Sequence, residues 1–70
     1  MSKKIRVEVV ERKLTDGSSV FDIQFSENGY LVFVLNCLGE DDADRRFQEF
    51  YNGFYGSDVI APGNCFEVTV

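Results

Sequence analysis

Between Gly39 and Phe54 the chain changes its period, and that change limits the folds open to it. Ala43, Phe47, Phe50, Tyr51 and Phe54 follow one another at steps of four, three, one and three, the spacing of one helical face. The segments on either side alternate with period two or carry turn residues. One helix set among strands is an α+β arrangement. The expected order is β-β-β-α-β: an antiparallel sheet of about four strands with the helix packed on one face.

The strands are read from alternation. From Lys4 to Lys13, Ile5, Val7 and Val9 share one face, and Arg6, Glu8, Val10 and Arg12 the other. Thr15-Asp16-Gly17 is a turn signal. Val20 to Ser26 alternates again, with Phe21, Ile23 and Phe25 apolar. Glu27-Asn28-Gly29 is the second turn. Tyr30 to Leu38 is almost wholly apolar, which predicts a central or well-covered strand. Cys65 to Val70 alternates with Phe66, Val68 and Val70 on one face, and could pair with the first strand or the third. Val59 and Ile60 could form a short extended piece before it.

Parity selects the loop lengths, because opposed residues in a hairpin face the same side. Three-residue loops with a left-handed Gly17 and Gly29 put Val9 opposite Ile23 and Val7 opposite Phe25. They also put Phe25 opposite Leu31, Ile23 opposite Phe33 and Phe21 opposite Leu35. One apolar face then collects all of these with Ile5; two-residue loops would scatter them. Tyr30, Val32 and Val34 fall on the other face. In the helix, Asp41 is the expected N-cap, with Asp44 reaching back to it, and Gly53 the C-terminal cap.

Seventy residues make one domain, residues 1–70. Ten aromatic side chains, seven Phe and three Tyr, supply a core and argue against disorder. The net charge of −5 is unevenly placed. Residues 1–35 carry five basic and five acidic side chains; residues 36–70 carry Arg45 and Arg46 against Glu40, Asp41, Asp42, Asp44, Glu49, Asp58 and Glu67. Such a chain is repelled by phosphate backbones and anionic membranes and attracted to basic surfaces. Direct nucleic-acid or membrane binding is therefore not expected, and a protein partner with a basic surface is. Met1-Ser2-Lys3-Lys4 runs into a strand pattern with no apolar segment of signal type. With two cysteines, Cys37 and Cys65, this leads to an expectation of free thiols and a cytoplasmic setting.

No motif points to catalysis. Without histidine, neither a Cys-His nor a Ser-His pair can form, and two Cys alone do not fill a usual zinc site. Residues 40–44 lack the alternating Asp, central Gly and terminal Glu of an EF-hand. No enzyme activity, metal or cofactor is expected. Asp22 stands alone among the acids inside its strand and is expected as a solvated outer-face partner of Arg6 or Arg12. The candidate partner-binding residues are Glu40, Asp41, Asp42, Asp44, Glu49 and Asp58. Complementing and capping the helix N-terminus is one reading of these acids and by itself accounts for them somewhat better. One or two would suffice for it, and since four in five residues repel one another, the surplus points to the other reading, a displayed surface.

A small, acidic, histidine-free α+β chain of this kind resembles, in size, charge and architecture, the phage-encoded inhibitors of bacterial defence such as anti-CRISPR proteins. Several of those mimic DNA. The resemblance implies an inhibitor occupying the nucleic-acid groove of a CRISPR effector subunit, acting in the host cytosol as a monomer or weak homodimer. The competing expectation is a homodimeric structural or regulatory module that associates through the outer sheet face or an open strand edge.

Overall fold

A computed structural model describes residues 2–70. The elements follow the expected order: β1 (Lys4–Lys13), β2 (Ser19–Glu27), β3 (Tyr30–Cys37), α1 (Glu40–Tyr55) and β4 (Cys65–Thr69). The four strands form one antiparallel sheet in the order β3-β2-β1-β4. β4 thus lies beside β1, with Ile5 opposite Val68 and Val7 opposite Phe66. The chain leaves one edge of the sheet at β3, crosses a face as α1 and returns at the far edge as β4. Val59 and Ile60 belong to no strand.

The first hairpin has the register that parity selects, Val7 opposite Phe25 and Val9 opposite Ile23. Its loop closes with the Leu14 N–H on the Ser18 carbonyl at 2.8 Å, and Gly17 takes φ 90°. The Asp16 carboxylate accepts from the Ser18 N–H (2.9 Å) and hydroxyl (2.6 Å), which fixes the turn.

The second hairpin corrects the expectation. Glu27 pairs with Tyr30 across a two-residue turn, with Asn28 at φ 51° and Gly29 at φ 89°. Two successive positive φ values suit the twist of a tight hairpin. A register shift between Phe25 and Ser26 then inserts an extra residue in β3, since Ser26 faces Leu31 but Phe25 faces Phe33. Beyond the bulge, Ile23 opposes Leu35 and Phe21 opposes Cys37. The apolar face is recovered, but by a bulge within the strand and not by a longer loop. Leu31 leaves it for the side of Ser26, and Tyr30 stands beside Glu27 in place of joining Val34.

That face and α1 enclose the core. Val7, Ile23, Ala43, Phe47 and Phe66 are buried, and Ile5, Val9, Phe25, Leu35, Phe50, Tyr51 and Val68 pack around them. The rings meet at angles: Phe47 and Phe66 at 5.3 Å, Phe25 and Phe50 edge-on at 4.9 Å, Tyr51 and Phe66 edge-on at 5.1 Å. The core lies over β1 and β2, the two central strands. β3 is not central, as its composition suggested, but an edge strand whose residues Tyr30–Val34 are all exposed.

Both helix ends also differ from expectation. The N-cap is Gly39, not Asp41, and the final cap is Gly56 at φ 107°, whose N–H bonds to the Asn52 carbonyl; Gly53 is helical. The helix therefore begins two residues earlier, about half a turn, and ends three residues later. A glycine suits the terminal position because a side chain is strained there.

Candidate functional site

α1 carries five acids and two arginines, and the structure divides them by flank. At 3.6 residues per turn, Asp42, Arg46 and Glu49 fall on one side of the apolar stripe, and Glu40, Asp41, Asp44 and Gln48 on the other. Arg45 lies on the outermost line, within reach of the first group.

On the first flank the charges are spent within the chain. Asp42, rather than Asp44, reaches back over the helix start: its Oδ2 accepts the Leu38 N–H at 3.0 Å. Arg46 Nε donates to the same oxygen at 3.0 Å and Arg45 Nη2 to Oδ1 at 2.6 Å, so the Asp42 side chain is only 11% exposed. The Leu38 amide, then Arg46 and Arg45, hold its carboxyl below the usual Asp range against the opposing effect of desolvation. Glu49 pairs with Arg45 Nη1 at 3.3 Å. Two of the six candidate residues are thus tied into their own helix, and Asp42 is a capping residue.

The second flank is different. Glu40, Asp41 and Asp44 are exposed, and among the described residues none has a side-chain hydrogen bond or ion pair. Asp44 stands one turn before Gln48. Gln48 and Asn52 each donate to the Val59 carbonyl at 2.8 Å, and the Ala61 N–H donates to Gln48 Oε1 at 3.0 Å. These bonds dock the loop after α1 on that flank and bring Asp58, also exposed, to the same side. Of the six candidate acids, those left without a side-chain partner among the described residues are Glu40, Asp41 and Asp44 on this flank and Asp58 in the loop docked against its later turns. Glu67 lies elsewhere, opposite Arg6 on the sheet face away from the helix.

This division makes a prediction. Asp42→Ala should lower the melting temperature by several degrees, because it frees an amide and two guanidiniums, whereas Asp44→Ala should leave it unchanged or raise it slightly through relieved repulsion. Thermal unfolding followed by circular dichroism separates the two; equal shifts would contradict the division.

The remaining chemistry is sparse. Cys37 and Cys65 are free thiols, and burial pushes both above the ordinary thiol range, which disfavours the nucleophilic thiolate. They sit on the two opposite edge strands, three strand spacings or roughly 14 Å apart across the sheet and further offset along it, beyond the reach of a disulfide. Among the described residues no three His, Cys, Asp or Glu side chains converge as metal ligands would. A concave region of about 600 Å³ near the second hairpin is lined by Lys4, Arg6, Ser26, Asn28, Gly29 and Glu67; it holds one carboxylate and no partner acid. No described helix is long and apolar enough to cross a membrane. Comparison with protein-family models, with curated proteins and with solved structures finds no match.

Asp22, outside the six candidates, has a different environment from the solvated one expected of it. It faces away from the helix and pairs with Arg12, as expected, but it is buried, not solvated. Arg12 Nε donates to Oδ2 at 3.0 Å and Asn36 Nδ2 to Oδ1 at 2.8 Å. The two partners close over it from β1 and β3, and the three strands are stitched on their outer face by one carboxylate.

Proposed function

We propose that this chain is a non-catalytic acidic binding protein that seats the Glu40–Asp41–Asp44 flank of α1, with Asp58, on a basic surface of a partner protein. The observation that supports this is the absence of any intrachain partner for these four acids among the described residues, while Asp42, Glu49 and Asp22 all have one. Carboxylates left free on one surface of a chain of net charge −5 accelerate encounter with a cationic surface, and the affinity falls with salt. A nucleic-acid-binding groove is a large cationic surface of this kind. Occupation of such a groove, including that of a CRISPR effector as the resemblance to anti-CRISPR inhibitors implies, is the form of the proposal that gives the protein an inhibitory role.

The test is a set of pull-downs from bacterial cytosol. The baits are the wild-type chain and a variant carrying Glu40→Lys, Asp41→Lys and Asp44→Lys. The wild type should retain a basic protein at low salt and release it at high salt or on addition of duplex DNA. The reversed variant should retain none of it. A partner held equally by both baits would exclude this flank as the contact, and release by salt but not by DNA would exclude the groove.

A further inference from the structure

The outer edge of β3 is the other surface without an evident occupant, and it has the opposite chemistry. β3 reads Tyr-Leu-Val-Phe-Val-Leu-Asn-Cys and contains no charge. Tyr30 is 77% exposed, Leu31 54%, Val32 60%, Phe33 56% and Val34 38%. An edge strand of this length and composition is a template for further pairing, and folded proteins ordinarily blunt such edges with charge, proline or a covering element. The other edge shows those devices. β4 has five residues, includes Glu67, and its Glu67 carbonyl is capped by the Tyr55 hydroxyl at 3.0 Å. On β3 the single device is the bulge beside Ser26, and it leaves Phe33–Cys37 regular.

From this edge we infer that the chain forms a two-fold dimer by antiparallel pairing of β3 with β3 of a second copy, giving one eight-stranded sheet.

Charge placement favours a copy of the same chain. Two molecules of net charge −5 repel unless the contact is neutral, and the surroundings of β3 are neutral in an otherwise acidic chain. Each acid bordering the strand has its own counter-ion. Glu27, at the hairpin end, pairs with Lys3 at 3.4 Å. Asp22, across from Asn36, pairs with Arg12 at 3.0 Å. Asp42, bonded to the amide that follows the strand, pairs with Arg45 and Arg46. The unpartnered acids Glu40, Asp41 and Asp44 lie on the far flank of α1. A basic partner would find nothing to attract it at β3, whereas an identical uncharged strand meets no penalty.

Geometry and area agree. An antiparallel pair of identical strands is related by a two-fold axis normal to the sheet, so the contact is isologous and closes at two copies. The same axis keeps both helices on one side and sets Phe33 and Leu35 of one copy beside the same pair of the other. At roughly 150–200 Å² for a large apolar side chain, the exposed parts of Tyr30–Val34 offer about 500 Å² per chain. Two copies contribute at most about 1,000 Å², because these side chains also expose the sheet faces, which puts the contact no higher than the lower bound for a specific interface. The dimer is therefore expected to be weak and concentration-dependent, and its pairing leaves the anionic flanks of both copies free.

Sedimentation across a concentration series tests this, with hydrogen exchange as a second readout. The mass should rise from the monomer's 8.0 kDa to about twice that value. It should stay dimeric, or become more so, as salt screens the repulsion. Val34→Lys, which places a charge on the edge, should return the chain to the monomer with an unchanged circular dichroism spectrum. Val59→Lys, on the exposed loop, should not. In the wild type, backbone amides of Phe33–Cys37 that point away from β2 should gain protection as concentration rises, a measurement that needs no variant. Three results would each overturn the dimer. One is a monomer mass at the highest soluble concentration. Another is a mass that grows past two copies without limit, as in open edge-to-edge association. The third is β3 protection that appears only on adding a foreign protein.

Discussion

Phe47→Ala should cost the chain about a third or more of its stability. Phe47 is 3% exposed and belongs to a core cluster with Val7, Ile23 and Phe66. It sits in the middle of α1 and is, with Ala43, one of the two helical residues that are fully covered. Removing a buried phenyl ring costs about 3–5 kcal/mol in lost transfer energy and residual cavity. A chain of this size has about 3.5–10 kcal/mol in total, so the substitution consumes a third of the stability or all of it. Small domains have no second core to fall back on. The structure also grades the neighbours. Phe50 is half-buried with its ring edge-on to Phe25, and Phe54 is 47% exposed at the last turn. Losses on substitution by alanine should therefore fall in the order Phe47, Phe50, Phe54, although the helical period alone makes the three equivalent. Urea unfolding of the three variants checks the order. A Phe54 variant as damaged as the Phe47 variant would mean that α1 docks on the sheet with a different rotation.

That gradient marks where the sequence is informative and where it is not. Period identifies the helix because a stripe at three- and four-residue steps has no use in a strand. Parity places Val7 against Phe25 because β1 and β2 are both regular. The same rule fails at Asn28-Gly29, since it takes β3 to be regular as well. Asn-Gly signals a two-residue turn, the apolar face demands odd parity, and a bulge satisfies both at once. The position of β3 at the edge is not legible for a different reason. An apolar run shows that a strand tolerates burial, not that the topology provides it, and an edge strand whose partner is another molecule has the same composition as a central one. Counting acids likewise reveals a surplus but not its partners. The i,i+4 spacings Asp42–Arg46 and Arg45–Glu49 were legible as helical ion pairs, and would have separated the occupied carboxylates from the free ones. The burial of Asp22 had no such signal, because Asn36 reaches it from a strand whose register depends on the bulge.

Asp22 then carries the acid sensitivity that the sheet itself contributes. The Asn36 amide, and next the Arg12 guanidinium, hold its carboxyl below the usual Asp range, while its burial acts in the opposite sense. In the unfolded chain the group returns to about 3.9. Because the folded form binds its proton less readily, the stabilisation is complete above the unfolded value and is lost as pH falls through the lower, folded one. Asp22→Ala at neutral pH should cost about 1.5–3 kcal/mol, the range for hydrogen bonds to a charged group. Arg12, half-exposed, can recover water; the outer seam between β1, β2 and β3 cannot recover its link. Asp22→Asn keeps the shape but meets the Asn36 amide with a second amide and no longer titrates. The difference in stability between wild type and Asp22→Asn should therefore be constant from neutral pH down to the ordinary Asp range and shrink below it. Some acid sensitivity should persist in the variant, since the carboxyls of Asp16 and Asp42 are also held low by their own hydrogen bonds. Urea unfolding of both proteins at a series of pH values measures this. Parallel curves through the acid range would show that the Asp22 carboxyl binds its proton equally well in the folded sheet and in the unfolded chain, and so that Asn36 and Arg12 do not hold it low.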